Sequence, residues 1–397
     1  MNIKNILSLF VGHLANFLVP FSLLFVLSRH LSESDFAFFM YAQIVMVWGG
    51  MFIEYGFTIR AVRYIKKEGR DIHDIYNLIQ STKIILSLIS SVVVLVVFYI
   101  GEMSTYLNYI LVCLCFIAYG LRANWYFITL ELNAIMTKID LIASMLFILV
   151  IFIPVKWELS EILFLIVLYR IFPAIIHAKI ICTIDRLKFV GIEKVLQELK
   201  AGLSLFIHVL SVSFYSSFNS LYIGMFLPSS VIVNYMSAER LNNVAISIYY
   251  PIVNAFIPRI MGGDVKSRTT ACLFMFTYSF LCLLGVYVTG EFFIKILLSD
   301  KYGNSIEVLR ILVLSVPFVG LNYILGQFYL IPAGLEKSIA KVTVLAGGIN
   351  VIILVSSVYY TGGIAFLPYL VLFIEVMISV FLFITCYCYG VFKRSSL

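Results

Sequence analysis

Apolar residues run along the whole chain in stretches of about twenty, separated by short polar breaks. A helix needs roughly 20 apolar residues to cross a hydrocarbon layer about 30 Å thick, because only a helix or closed barrel satisfies its own backbone there. Twelve stretches meet that length, near residues 6–28, 36–57, 79–100, 107–128, 139–155, 160–181, 201–226, 231–257, 269–289, 306–330, 341–360 and 364–389. The first follows only "MNIKN", is longer than a signal-peptide core and lacks a small-residue cleavage site, so it reads as a retained span. The pattern predicts an all-α polytopic membrane protein with about twelve transmembrane helices and no soluble catalytic domain between them.

Composition agrees: 62% of the 397 residues are hydrophobic and only 12% charged, with a mean hydropathy of +1.03, far from a soluble domain. The basic residues then orient the chain, since cytoplasmic loops are rich in Lys and Arg. With both termini inside, the inner segments hold eighteen: Lys4; Arg60, Arg63, Lys66, Lys67 and Arg70; Lys138; Arg186, Lys188, Lys194 and Lys200; Arg259, Lys266 and Arg268; Lys337 and Lys341; Lys393 and Arg394. The outer segments hold four, Arg29, Lys156, Lys295 and Lys301. The same bias accounts for the net charge of +7, which is no sign of nucleic-acid binding.

An internal repeat appears at an offset of 196 residues. There "KNILSLF" (4–10) meets "KAGLSLF" (200–206), Leu31 meets Leu227, Met40 meets Met236, Ala42 meets Ala238, Gln43 meets Glu239 and Arg63 meets Arg259. Six spans per half make the repeat parallel, the plan of transporters whose two bundles rock about a central site. The expected organisation is a six-helix bundle over 1–181, a basic cytoplasmic linker over 182–200 and a second six-helix bundle over 201–397.

Charges inside these spans point to function. Glu239 and Arg240 sit side by side in span eight, and each would cost about 3 kcal/mol facing lipid. Arg240, Asn243, Ser247, Tyr250 and Asn254 recur every three or four residues and form one polar stripe. Span seven repeats it with Ser204, His208, Ser211, Tyr215 and Tyr222, and span one more weakly with His13, Asn16 and Pro20. Glu54, Arg122, Arg170, Arg310 and Glu375 add charges in spans two, four, six, ten and twelve. Such groups line substrate or ion routes, and the planar guanidinium suits phosphate, so the arginines predict an anionic cargo. The competing readings are polar packing between helices, snorkelling of Arg122 and Arg310 to an interface, and ion pairs of Glu54 and Glu375 with an arginine.

Pro251 and Pro258 in span eight and Pro317 in span ten predict bends. The seven cysteines lack metal-site spacing and read as small apolar residues. No G-x-x-x-x-G-K-[ST] loop for ATP is present.

The opening "NFLVPFSLLFVLSRHLSESDFAFFMYAQIVMVWGGMFIEYGFTIRAVRYI" resembles that of Wzx-type O-antigen flippases at Asn16, Pro20, Arg29, Leu31, Phe36, Tyr55, Gly56 and Phe57. "NWYFITLE" (124–131), "YMSAERLNN" with Pro251 and Pro258, and "PAGLEK" (332–337) resemble later signatures of the same family, while "LSESDFA" replaces its Gly-rich "LGPEGFG". The resemblance implies the polysaccharide-transporter branch of the MATE/MOP-like exporters. It implies export of undecaprenyl-diphosphate-linked O-antigen or capsular repeat units across a bacterial inner membrane. Arg29, Arg122, Arg170, Arg240, Asn243 and Arg310 are the expected substrate-binding residues. Glu54, Glu239 and Glu375 are the expected carriers of coupling protons or sodium ions, with no other cofactor. Membrane lipids, a polysaccharide polymerase and a chain-length regulator are the expected partners. A multidrug antiporter of the same fold, a polysaccharide polymerase or ligase, and a non-transporting scaffold are the alternatives. The arginine excess disfavours the first, the short outer loops the second and the charged stripes the third.

Overall fold

The computed structural model describes residues 17–66, 68–130, 132–182, 187–360 and 366–391. Lys4, His13, Asn16, Lys67, Arg186, Lys393 and Arg394 lie outside the described residues, as do the side chains of His208, Ser211, Tyr215 and Asn254. The described residues are helical with no strand, and nine helical stretches among them are long and apolar enough to cross a membrane. The protein is an all-helical polytopic membrane protein, as its hydropathy pattern predicts.

The nine stretches correspond to spans two to six and nine to twelve. Span one begins outside the described residues, span seven breaks at Ser217 and span eight at Ile248. The chain divides into two compact units, one of His30–Leu210 and one of Met1–Arg29 with Ser211–Leu397; we call them the N-unit and the C-unit.

The N-unit holds α2 (Glu33–Glu54), α3 (Phe57–Lys66), α4 (Ile72–Gly101), α5 (Tyr106–Leu121), α6 (Asn124–Thr129), α7 (Asn133–Ile151), α8 (Leu159–Cys182) and the start of α9 (Ile192–Ser216). Helix α5 packs between α4 and α8, with α2 against α4 and α5. Glycine permits that approach, since a Cβ on Gly49 would collide with the Phe116 ring and one on Gly120 with the Ser87 side chain. Helix starts are set by caps: Ser32 Oγ accepts from Asp35 N at 3.1 Å and Asp71 Oδ1 from His73 N at 3.4 Å. Helix α2 ends where Tyr55 (φ 46°) and Gly56 (φ 77°) turn left-handed, and Tyr55 stacks on Phe206 of α9 at 4.4 Å between ring centroids.

The segment 182–200 differs from the expected linker, because α9 starts at Ile192 inside it. Glu198 is buried there, its Oε1 3.0 Å from Arg60 Nη2, while its carbonyl accepts from Arg60 Nη1 at 2.6 Å and its Oε2 from Tyr64 Oη at 3.0 Å. The described part of this segment is thus joined to the N-unit by Glu198 and by the backbone N–H of Lys188, which donates to Asn77 Oδ1 at 2.8 Å.

The C-unit holds α1 (Leu18–His30, to Arg29), the end of α9, α10 (Phe218–Phe226), α11 (Ser229–Ser247), α12 (Tyr249–Met261), α13 (Val265–Leu297), α14 (Ser305–Leu312), α15 (Val316–Tyr323), a π-helical stretch Ile324–Leu330, α16 (Glu336–Tyr360) and α17 (Leu367–Cys388). Two of the three prolines coincide with an interruption, whereas α12 runs unbroken through Pro258. Span eight breaks between Ser247 and Tyr249, four residues before Pro251 at its start, and a 3-10 turn Val313–Ser315 precedes Pro317. Each ring removes an amide donor and crowds the carbonyl four residues back.

Candidate functional site

In the N-unit, the break between α5 and α6 leaves the carbonyls of Gly120, Leu121 and Arg122 without helical partners. Helix α4 supplies donors for them. Gln80 Nε2 reaches Gly120 O at 2.8 Å and Leu121 O at 3.1 Å, and Lys83 Nζ reaches Arg122 O at 2.8 Å. Lys83 is 0% exposed and also pairs with Glu54 Oε1 at 2.6 Å. The Arg122 side chain turns to α7, with Nη2 2.5 Å from Asp140 Oδ1 and Nε donating to Asn124 Oδ1 at 2.8 Å. His177 of α8 is fully buried against the Phe127 ring, 4.4 Å between centroids.

Arg170 of α8 completes this cluster. It is half-buried, an electrostatic neighbour of Tyr119 and Cys115, and its Nε makes no hydrogen bond among the described residues. Lys83 and Arg122 are each matched by a carboxylate, Glu54 and Asp140, which leaves Arg170 as the cation of the cluster with no ion-pair carboxylate within 4.0 Å among the described residues.

The C-unit interior has the opposite polarity. A cavity of about 350 Å³ is lined by Glu239, Glu375, Asn219, Asn242, Asn243 and Asn322, with Gln327 and Thr343 beside them. Ser220 Oγ donates to Glu239 Oε2, and Asn322 Nδ2 donates to Glu375 Oε2 at 2.8 Å. Ser379 Oγ in turn donates to Asn322 Oδ1 at 2.7 Å, and Asn350 Nδ2 to Asn219 Oδ1 at 2.9 Å. Carboxylates and amide oxygens in a shared cavity present acceptors, the arrangement that suits a hard cation or a proton.

The structure therefore sorts the residues expected from sequence. Glu239, Asn243 and Glu375 share the C-unit cavity, whereas Arg240 and Arg310 do not line it. Arg310 sits on α14 as an electrostatic neighbour of Glu291. Arg29 is exposed, its Nη2 donating to Ile296 O at 2.8 Å at the C-terminal end of α13 and its Nη1 to Phe25 O of its own helix at 2.9 Å. Glu54, Arg122 and Arg170 lie in the N-unit, the first two as members of ion pairs with Lys83 and Asp140.

Lys83, Asp140 and His177 were absent from the expected set. Lys83 and Gln80 do share a helix face at a spacing of three, and that is the signal a reading of span three can use. Nothing in sequence spacing connects Asp140 to Arg122 across two helices.

Residues 3–262 match the family described as polysaccharide biosynthesis protein. Two curated proteins are similar over nearly the whole chain, both named "Putative O-antigen transporter". The one from Shigella dysenteriae is 26% identical, covering 96% of this chain and 98% of its own. The one from Escherichia coli (strain K12) is 23% identical, covering 88% of each. Among solved structures, the lipid II flippase MurJ in an inward closed conformation aligns with a TM-score of 0.71 at 12% identity, over 95% of this chain and 87% of that one. An outward-facing multidrug resistance MATE family transporter of the MOP superfamily aligns with a TM-score of 0.62 at 14% identity, over 99% and 95%. At such identities these two alignments speak for the fold alone.

Proposed function

Because the chain belongs to the polysaccharide biosynthesis protein family, matched over residues 3–262, we propose that it is a flippase for undecaprenyl-diphosphate-linked O-antigen or capsular repeat units. The chain is a membrane transporter, not an enzyme. In the proposed reading it carries the repeat unit from the cytoplasmic to the periplasmic leaflet of a bacterial inner membrane by alternating access, with both termini cytoplasmic. A diphosphate with attached sugars cannot cross hydrocarbon unaided, so polar groups inside the bundle must replace its water.

The observation that carries the reading is Arg170. A half-buried guanidinium among apolar helices, with no carboxylate in ion-pair reach and Nε making no hydrogen bond among the described residues, is suited to a bidentate hold on a phosphate brought in by the cargo. Lys83 and Arg122 are fixed and neutralised by Glu54 and Asp140, which leaves the Arg170 charge for the cargo. The C-unit cavity, with Glu239 and Glu375, is the proposed seat of the coupling proton or sodium ion. A polymerase and a chain-length regulator would use the exported units.

The acidic C-unit cavity favours a second reading, a multidrug antiporter whose cationic cargo binds Glu239 and Glu375. One genetic experiment separates the two. A deletion strain should lose surface polysaccharide while single lipid-linked units accumulate on the inner leaflet, and Arg170→Ala should fail to restore export at normal membrane abundance. Unchanged surface polysaccharide with raised sensitivity to cationic drugs would establish the antiporter instead.

A further inference from the structure

Three chain segments of the N-unit border one polar recess of about 580 Å³: His30 to Asp35 at the start of α2, Thr105 to Asn108 at the start of α5, and Lys156 to Ser160 at the start of α8. The charge pattern puts all three on the side of the membrane opposite the basic loops. Leu107, Trp157 and Ser160 also border a second, shallow recess of about 320 Å³ that continues over Leu111, Phe164 and Leu165. The two recesses therefore adjoin, one polar and one apolar, with Trp157 on the rim of both.

Trp157 is held in place. Its Nε1 donates to Ile151 O at 3.0 Å and its backbone N–H to His30 Nδ1 at 3.3 Å, so a half-buried indole is fixed at the border. Asn108 is 4% exposed and donates to Ser104 Oγ at 2.8 Å, yet its buried Oδ1 accepts no hydrogen bond among the described residues. A buried acceptor without a donor costs free energy unless a ligand or water supplies one. The carboxylates Asp35, Glu158 and Glu161 border the pair of recesses with one ammonium, Lys156. That balance disfavours a phospholipid headgroup and suits a polyol, whose hydroxyls donate to carboxylate and amide oxygens.

We propose that this paired recess is a glycolipid subsite on the outer face of the N-unit. Sugar residues occupy the polar part with one ring against Trp157 and a hydroxyl on Asn108 Oδ1, and hydrocarbon lies along Leu107, Leu111 and Phe164. The subsite rests on the flippase reading for its role: it would hold the repeat unit after translocation, before release to the leaflet.

The test uses the full-length chain in phosphatidylcholine nanodiscs and, as probe, the repeat-unit oligosaccharide released by mild acid from the host's lipid-linked precursor. Saturation-transfer NMR should give sugar-proton signals that fall at least fivefold in Trp157→Ala and in Asn108→Leu. They should persist in Trp157→Phe, which keeps an aromatic face, and in Arg170→Ala. No signal in the wild type, or full signal in monodisperse Trp157→Ala and Asn108→Leu protein, overturns the subsite. Signals lost in Arg170→Ala but kept in Trp157→Ala overturn it too, and leave the flippase reading standing. Signals abolished when phosphatidylglycerol replaces phosphatidylcholine assign the recess to an anionic headgroup. Failure of the flippase reading is scored separately, by surface polysaccharide in the deletion strain.

Discussion

Lys83 and Glu54 form an ion pair of 2.6 Å in which the lysine is completely buried and the carboxylate about a quarter exposed, 27%. The same ammonium binds the carbonyl of Arg122 at 2.8 Å. One side chain therefore ties α2 to α4 and closes the break between α5 and α6. Removing one partner of a buried pair costs on the order of 3–5 kcal/mol, lessened here by the water that reaches Glu54. Lys83→Met should lower the melting temperature of the detergent-solubilised protein markedly. Lys83→Met combined with Glu54→Gln should recover much of the loss, because no unmatched carboxylate remains. Equal melting temperatures for single and double variants would show that the carbonyl contact, not the ion pair, dominates.

Gly120 lets α5 approach α4 closely enough for Lys83 to work. A Cβ there would overlap the side chain of Ser87 and stand 3.2 Å from the backbone carbonyl of Lys83. Gly120→Val should destabilise the N-unit by about 1–3 kcal/mol through overpacking, read as reduced thermal stability and membrane abundance. Ser87→Gly should relieve part of it and Ser87→Ala little, since the Ser87 Cβ collides as closely as its hydroxyl.

Much of this architecture was legible in sequence because membrane spans obey a simple constraint: apolar length is independent of tertiary detail. Arg170, Glu239 and Glu375 were visible for the same reason, as charges where charges are costly. What sequence could not show was pairing. Arg122 and Arg29 look alike as cations near span ends, yet one meets Asp140 of α7 and the other caps the carbonyls of α13. Glu198 sits in a segment whose composition says linker, and becomes buried because Arg60 and Tyr64 wait on α3. These outcomes depend on helix packing, which periodicity leaves open.

Arg29 should behave as a cap. Arg29→Ala removes donors to Ile296 O and Phe25 O and should cost on the order of 1 kcal/mol or less for an exposed cation at a helix C-terminus. Export at normal abundance should remain near wild type in a surface-polysaccharide assay. A loss as deep as that of Arg170→Ala would make Arg29 a cargo contact.

Orientation has a direct test. Alkaline phosphatase fused at Met103 or Ser229 should be active, and at Arg70 or Lys266 inactive, if the basic segments face the cytoplasm. Reversed activities would turn the outer recess around Trp157 to the cytoplasmic side and the proposed direction of cargo release with it.

If Glu239 and Glu375 carry the coupling ion, their amides should uncouple transport without unfolding the C-unit, because Ser220 and Asn322 can still bond a glutamine side chain. Export by Glu239→Gln and Glu375→Gln should no longer respond to collapse of the proton or sodium gradient. A response equal to that of the wild type in both variants would remove the cavity from the coupling scheme.

The central claim is that this chain flips a lipid-linked oligosaccharide and holds its diphosphate at Arg170. The most direct measurement uses purified protein in proteoliposomes loaded with undecaprenyl-diphosphate-linked repeat units, scoring the fraction that becomes accessible to a membrane-impermeant glycan-modifying enzyme. One charge-assisted hydrogen bond contributes about 1.5–3 kcal/mol, so wild-type protein should move the lipid at least tenfold faster than Arg170→Ala, with Arg170→Lys between them. Movement no faster than in protein-free liposomes, or an Arg170→Ala rate equal to wild type, would contradict the account.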